Sequence, residues 1–207
     1  MSTTVFLVRH GQTTSNITHF YSGWSDEDLN EAGYMQARSL SSRLAGLPIG
    51  SVYASPLRRT HTTAMILAQP HYLGVKTIDD LIEIQLGDWQ GLPAEEIERR
   101  WPELWNQSRI DPSEIVLPGG ESFGQVVERA VRAFEMILGA SSGGQTLIVT
   151  HDIVVRILVA YVLGVSNSIY RRLDIDNSSL SIIRAIDGRK QLITLNDTAH
   201  LEGLPVS

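Results

Sequence analysis

Four short clusters in this chain hold residues that can act on an anion: Arg9-His10-Gly11, Arg58-Arg59, Glu83 and His151. A single histidine at a strand end is more often a hydrogen-bonded structural residue than a reactive one, so neither imidazole says much alone. Together with the arginines they say more. Guanidiniums beside two imidazoles repel a divalent cation, which disfavours a metal site although imidazole is a common ligand. A dianion fits the same set, because guanidinium offers a planar fork matched to two oxygens and a phosphoryl group supplies them. A helix starting near Pro56 would add its positive end. The clusters read as a phosphoryl clamp.

The clamp closes only if the fold brings its parts to one edge. Thr3 to Val8 is a β-branched, apolar run short enough for a buried strand, and it ends at Arg9-His10-Gly11-Gln12-Thr13. Asn30 can cap a helix to about Leu44, with Met35, Leu40 and Leu44 spaced for one face. Ser51 to Ala54 and Val75 to Ile78 read as strands two and three, with a helix from Pro56 to about Ala68 between them. Residues 88 to 118, richer in Trp, Glu, Pro and Arg, read as a small helical insertion with a short helix near Ala94 to Arg100. Ser122 and Gln125 make a capping box ahead of the stripe Val126, Val127, Ala130, Val131, Phe134. Gln145 to Thr150 is a fourth strand, a helix spans Ile153 to Leu163, and Leu180 to Ile186 with Gln191 to Leu195 flank Asp187-Gly188 as a hairpin. The expected class is α/β: a three-layer α/β/α arrangement with a mostly parallel sheet, an antiparallel edge strand and that helical insertion. In such sheets the crevice lies at the strands' carboxyl ends, where His10, Ser55 to Arg59, Glu83 and His151 all fall.

The 207 residues, 43% hydrophobic and 19% charged, lead to the expectation of one domain over 1–207. No leader peptide is visible, and the longest apolar stretch, Ile153 to Leu163, is broken by Arg156 and falls short of the ~18 residues of a membrane span. Absence of cysteine removes disulfides, thiolate metal sites and a cysteine nucleophile, and fits a cytoplasmic home. A net charge of -6 argues against a nucleic-acid partner. The expected partner is a small-molecule phosphate ester, with no cofactor and no membrane; a homodimer stays open.

Leu7-Val8-Arg9-His10-Gly11-Gln12-Thr13 with Asn16 resembles the signature of the histidine phosphatase superfamily, also called phosphoglycerate-mutase-like. Ser55-Pro56-Leu57-Arg58-Arg59-Thr60 followed by Thr63-Ala64 resembles its second arginine motif, Glu83 with Gly87, Trp89 and Gly91 its acid motif, and Val149-Thr150-His151 with Arg156 its second histidine motif. Gly120-Glu121-Ser122 resembles a turn of the same family, and the resemblance covers about residues 3 to 201. It implies that His10 attacks phosphorus, that Arg9, Arg59 and His151 grip the phosphoryl oxygens with Asn16 also at the phosphate, and that Glu83 protonates the leaving oxygen. A neutral imidazole has the lone pair for that attack, and Glu83 would need its pKa raised by burial or by negative charge nearby. Arg58 is then expected to face solvent.

Three departures bear on the reading. Asp152 follows His151 where the family commonly has small residues, and its side chain is expected to point away from the substrate. Gln85 and Leu86 stand where phosphoserine-phosphatase-like members often have a histidine, which weakens that substrate. The short chain with Gly87-Asp88-Trp89-Gln90-Gly91 looks more like the phosphatases than the mutases, so a cofactor-dependent phosphoglycerate mutase is the alternative. A remoter one is a serine esterase using Ser122 in Gly120-Glu121-Ser122-Phe123-Gly124. Against it, Pro118-Gly119 breaks the preceding strand and Ser122 already has a role as a cap. His19, His61 and His71 receive no function, His200 is placed near the rim, and Trp101 is the tryptophan that could face the mouth.

Overall fold

The computed structural model describes residues 2–141 and 143–204. Strands β1 (Ser2–Arg9), β2 (Ile49–Ala54), β3 (Val75–Thr77), β4 (Gln145–Thr150), β5 (Leu180–Ile186) and β6 (Arg189–Asp197) form one sheet in the order β3-β2-β4-β1-β5-β6. The β3-β2, β2-β4 and β4-β1 pairs are parallel. β5 runs antiparallel to both β1 and β6, so the antiparallel strand lies one place in from the edge and the hairpin forms that side. Asp187 and Gly188 both adopt left-handed backbone, with φ of 47° and 81°, the twist an Asp-Gly hairpin turn needs.

Strand alternation builds the layers. Val5 and Leu7 of β1 point to one face, where they join the buried side chains of α6 (Phe123–Ala140) and α7 (Asp152–Leu163). Phe6 and Val8 point to the other, meeting Leu40 and Leu44 of α2 (Glu31–Leu44) and Leu67 of α3 (Arg58–Ala68). Caps set the helix starts: Asn30 accepts from the Gly33 amide, and Ser122 with Gln125 closes the capping box of α6. The region from 94 to 110 holds one helix more than expected. Besides α4 (Ala94–Arg100) there is α5 (Pro102–Ile110), opened by Pro102 in its first turn where a missing N–H costs nothing.

One helix start differs from the sequence reading. α3 begins at Arg58, with Leu57 extended before it and Pro56 outside. Its first amide, that of Arg58, donates to Asp26 Oδ1 at 2.8 Å, so a carboxylate of the chain already occupies the positive end that was expected to serve the substrate.

The turn after β1, which leads into the short helix α1 (Thr14–Thr18), lies directly on α2. Gln12 accepts from the Asn30 amide at 3.0 Å, donates its own amide to Gln36 Oε1 at 2.9 Å, and the Gly11 amide donates to Thr63 Oγ1 at 3.1 Å. The approach is close enough that a Cβ on Gly33 would stand 2.1 Å from the Gln12 carbonyl oxygen. Gly33→Ala should therefore cost about 2 kcal/mol or more by overpacking. Gly139→Ala, in an open stretch of α6 with nothing within 4 Å, should gain roughly 0.5–1 kcal/mol. Urea midpoints of the two variants check the contrast, and equal shifts would contradict it.

Candidate active site

At the carboxyl edge of the sheet the first and fourth strands end side by side, where Arg9 pairs with Thr150 and the His10 amide donates to the Thr150 carbonyl at 3.0 Å. The second strand follows, with the Ser55 amide donating to the Val149 carbonyl at 3.1 Å. Above this rim opens a cleft of about 560 Å³ whose wall includes Arg9, His10, Asn16, Arg59 and Glu83. His151 is fully buried behind His10, with the two ring centroids 5.3 Å apart, and does not itself form the wall. Arg58 and Arg59 separate cleanly: the Arg58 side chain is 63% exposed, whereas Arg59 is 1% exposed as a residue.

Hydrogen bonds settle which nitrogen of His10 is free. His10 Nδ1 lies 2.7 Å from the Gly11 carbonyl oxygen, which can only accept, so Nδ1 carries the proton and Nε2 the lone pair. Ser55 Oγ holds His151 through Nε2 at 2.7 Å. Arg59 donates to the carbonyls of Ser25 at 2.6 Å and Gly23 at 2.7 Å, and Arg9 to that of Ile175 at 2.5 Å. Among the described residues, the buried Nε atoms of both arginines and Nδ1 of His151 have no hydrogen-bond partner. Unpaired buried donors around one spot are expensive unless a ligand's acceptors meet them. Asn16 spends Oδ1 on Thr13 and Asn177, so its NH₂ is the group left for a ligand.

The charges act in opposite directions on the two kinds of acid. Burial, then the Arg59 and Arg9 guanidiniums, hold the pKa of His10 well below 6.5. His151 is lowered likewise, by burial first and then by Arg59. Glu83 moves up from 4.5, through burial first and then the nearby Asp152 charge, against its hydrogen bond from the Ile84 amide and the pull of Arg59.

Asp152 does not point away as expected. Its carboxylate lines the cleft, bonded to Arg156 Nε at 2.9 Å and 3.9 Å from Arg9. The i, i+4 spacing on α7 explains this, since it aligns Asp152 with Arg156 along one face. Trp105, not Trp101, forms the aromatic wall, and His19 also lies there. Ser122 Oγ accepts from the Gln125 amide as a helix cap, and among the described residues no histidine bonds to it, which removes the esterase arrangement. His200 bonds the Ser178 carbonyl, whose own amide bonds the carbonyls of Arg9 and His10, so it braces the loop beneath the site.

The sequence reading missed a support for Glu83. Arg129 of α6 donates to the main-chain carbonyls of Asp80, Ile82 and Glu83 and grips both oxygens of Glu121 at 2.9 Å. Glu121 accepts from the Gln85 amide at 2.8 Å, and Trp24 Nε1 donates to the Glu83 carbonyl at 2.6 Å. The only signal was an arginine on the amphipathic helix after Ser122, indistinguishable in sequence from the exposed Arg132 of the same helix. Among the described residues, no helix is long and apolar enough to cross a membrane.

The sequence model described as histidine phosphatase superfamily (branch 1) matches residues 5–198. Phosphoserine phosphatase 1 of Hydrogenobacter thermophilus is 32% identical over 197 residues, covering 95% of this chain and 93% of that protein. The solved structure of Bacillus stearothermophilus YhfR superposes with a TM-score of 0.93 at 30% identity, covering 97% of this chain and 100% of that one. A mycobacterial glucosyl-3-phosphoglycerate phosphatase gives 0.85 at 27% identity, covering 95% and 99%.

Two predictions follow from the electrostatics and the clamp. With both histidine pKa values depressed, His10 and His151 should stay neutral as pH falls through 6.5, while the unfolded chain takes up protons there. Their contribution to stability is therefore complete above that pH and is lost below it. Imidazole NMR signals of the two residues titrating at or above pH 6.5 would contradict this. Arg129→Met should cost about 3 kcal/mol or more in denaturant unfolding, because it strands the Glu121 carboxylate and three carbonyls.

Proposed function

Since this chain belongs to the histidine phosphatase superfamily and is a phosphatase of that type, we propose that it hydrolyses small phosphomonoesters through a phosphohistidine formed on His10. The observation that carries this reading is the pinned tautomer of His10, which leaves Nε2 unprotonated in a wall shared with the Arg9 and Arg59 guanidiniums.

In the first step the Nε2 lone pair forms the bond to phosphorus as the ester P–O bond breaks. Glu83, in its protonated form, gives its proton to the departing oxygen, which leaves as an alcohol. In the second step Glu83 takes a proton from water, the resulting hydroxide attacks phosphorus, the N–P bond breaks, and inorganic phosphate leaves with the lone pair restored to Nε2. Arg9, Arg59 and His151 Nδ1 would meet the charge on the transferring group with donors already fixed in place, and Asn16 would add its NH₂. Burial of Glu83 raises the share of the protonated form that the first step uses. Water as acceptor distinguishes this cycle from that of a mutase, and the phosphatases among the relatives favour it.

His10→Ala should abolish turnover and phosphoenzyme together. In rapid quench with labelled substrate, the wild type should yield a phosphoenzyme stable to alkali and lost in acid, as a phosphoramidate is; acid-stable label would contradict the mechanism. Glu83→Gln keeps shape but removes the proton. An alkoxide cannot leave unprotonated, whereas p-nitrophenolate leaves without help, so single-turnover phosphorylation should fall ~10²- to 10⁴-fold on an alkyl phosphate and much less on p-nitrophenyl phosphate. Equal losses on both would remove Glu83 as the general acid.

A further inference from the structure

Two arginines in the cleft wall are left without work by the proposed chemistry. Arg109, on α5, has no carboxylate partner among the described residues and lies with its guanidinium carbon 5.4 Å from the Trp105 ring centroid. Arg171, from the turn 167–172, bonds the Ser108 carbonyl, has no carboxylate partner among the described residues, and lies 5.2 Å from the Tyr170 ring centroid. They come from separate parts of the chain and line the same cleft as Tyr21, whose ring lies 6.0 Å from that of Trp105, and both charges favour its ionisation although its burial weighs more. Stacking covers one face of a guanidinium and leaves its N–H edges for an acceptor. Glu95, a carboxylate in this wall with no ion-pair partner among the described residues, offsets one of the two charges, so the wall stays positive.

The other charged groups in the cleft are committed. Arg156 is bonded to Asp152 and to the carbonyls of Tyr170 and Leu173, while Arg9 and Arg59 stand at the phosphoryl position. The cleft of about 560 Å³ also far exceeds what a phosphoryl group fills. Resting on the phosphatase reading above, we propose that Arg109 and Arg171 form a second anion subsite, so that the substrates are phosphomonoesters whose leaving group carries a carboxylate or second phosphoryl group remote from the scissile bond. The wall between the two anions is aromatic, with Tyr21, Trp105 and Tyr170, and suits an apolar or ring-bearing spacer.

Binding of phosphonates, which cannot be hydrolysed, tests the subsite apart from turnover. A series of alkylphosphonates of two to eight carbons, each with and without a terminal carboxylate, would be titrated calorimetrically into the full chain. The carboxylate should tighten binding roughly tenfold or more at one preferred length. In Arg109→Gln/Arg171→Gln that ratio should fall to about one. Arg109→Glu, a change on the exposed side of the wall, should bring it below one and favour a terminal amine instead. No carboxylate preference at any length, or a preference that survives the double substitution, would overturn the subsite. Phosphate release from p-nitrophenyl phosphate by the unaltered protein is measured in parallel, and its failure would instead count against the phosphatase reading.

Discussion

Burying the Arg59 guanidinium to 1% exposure opposes its charge, and its pKa is lowered by that burial. The chain answers with two main-chain carbonyls, those of Gly23 and Ser25, rather than with a bonded carboxylate. The distinction decides the site's chemistry. A directly paired carboxylate would neutralise the charge that a phosphoryl group needs, whereas carbonyl dipoles hold the guanidinium in place and leave Nε unsatisfied. Glu83, Glu27 and Asp26 stabilise it only from a distance. Much of the surrounding loop exists to present those carbonyls: Gly23 takes a left-handed φ of 47°, the Trp24 amide is held by Gln90 at 3.0 Å, and the Trp24 indole reaches the Glu83 carbonyl.

The same economy appears on the far side of the cleft. Glu83 follows a strand of only three residues and a short turn. Arg129 braces them, donating to the carbonyls of Asp80, Ile82 and Glu83 and reaching the Gln85 amide through Glu121. A carboxyl that hands over a proton has to be placed to a fraction of an ångström, and a bidentate buried pair is stiffer than a loop. α6, whose apolar stripe ties it to the core, thereby becomes the anchor for the proposed acid.

Much of this was legible in the sequence because local rules governed it. The runs ending at His10 and His151, the Asn30 cap, the Ser122-Gln125 capping box and the Asp187-Gly188 turn each depend on a few neighbouring residues, and each appears where those residues put it. The start of α3 was misplaced because a distant group, Asp26, competes for its first amide. α5 was hidden by Pro102, which ends one helix and opens another with equal propriety. Nothing local marks Arg129 or Trp105 as parts of the site, or Ser55 as the partner of His151, since the groups they meet lie far along the chain. That His10, Arg59 and Glu83 share one wall depends on the strand order, which residue patterns leave undetermined.

Asp152 shows why an anion is tolerable where a dianion is to bind. At the first position of α7 it meets the positive end of the helix, and its bond to Arg156 gives it a second cation, so little of its charge is left to oppose a substrate. What remains falls on Glu83, where it adds to burial in disfavouring ionisation. The imidazoles experience the reverse, because the guanidiniums disfavour their protonated forms. One cavity thus favours the unprotonated form of a nitrogen base and biases a carboxyl toward its protonated form, moving each against its tendency in water, by setting cations against the histidines and an anion against the acid. Moving Asp152 away from the cleft, as the sequence reading expected, would leave the cations to act on all three groups alike, and Glu83 would lose the one neighbour that works in the direction of proton donation.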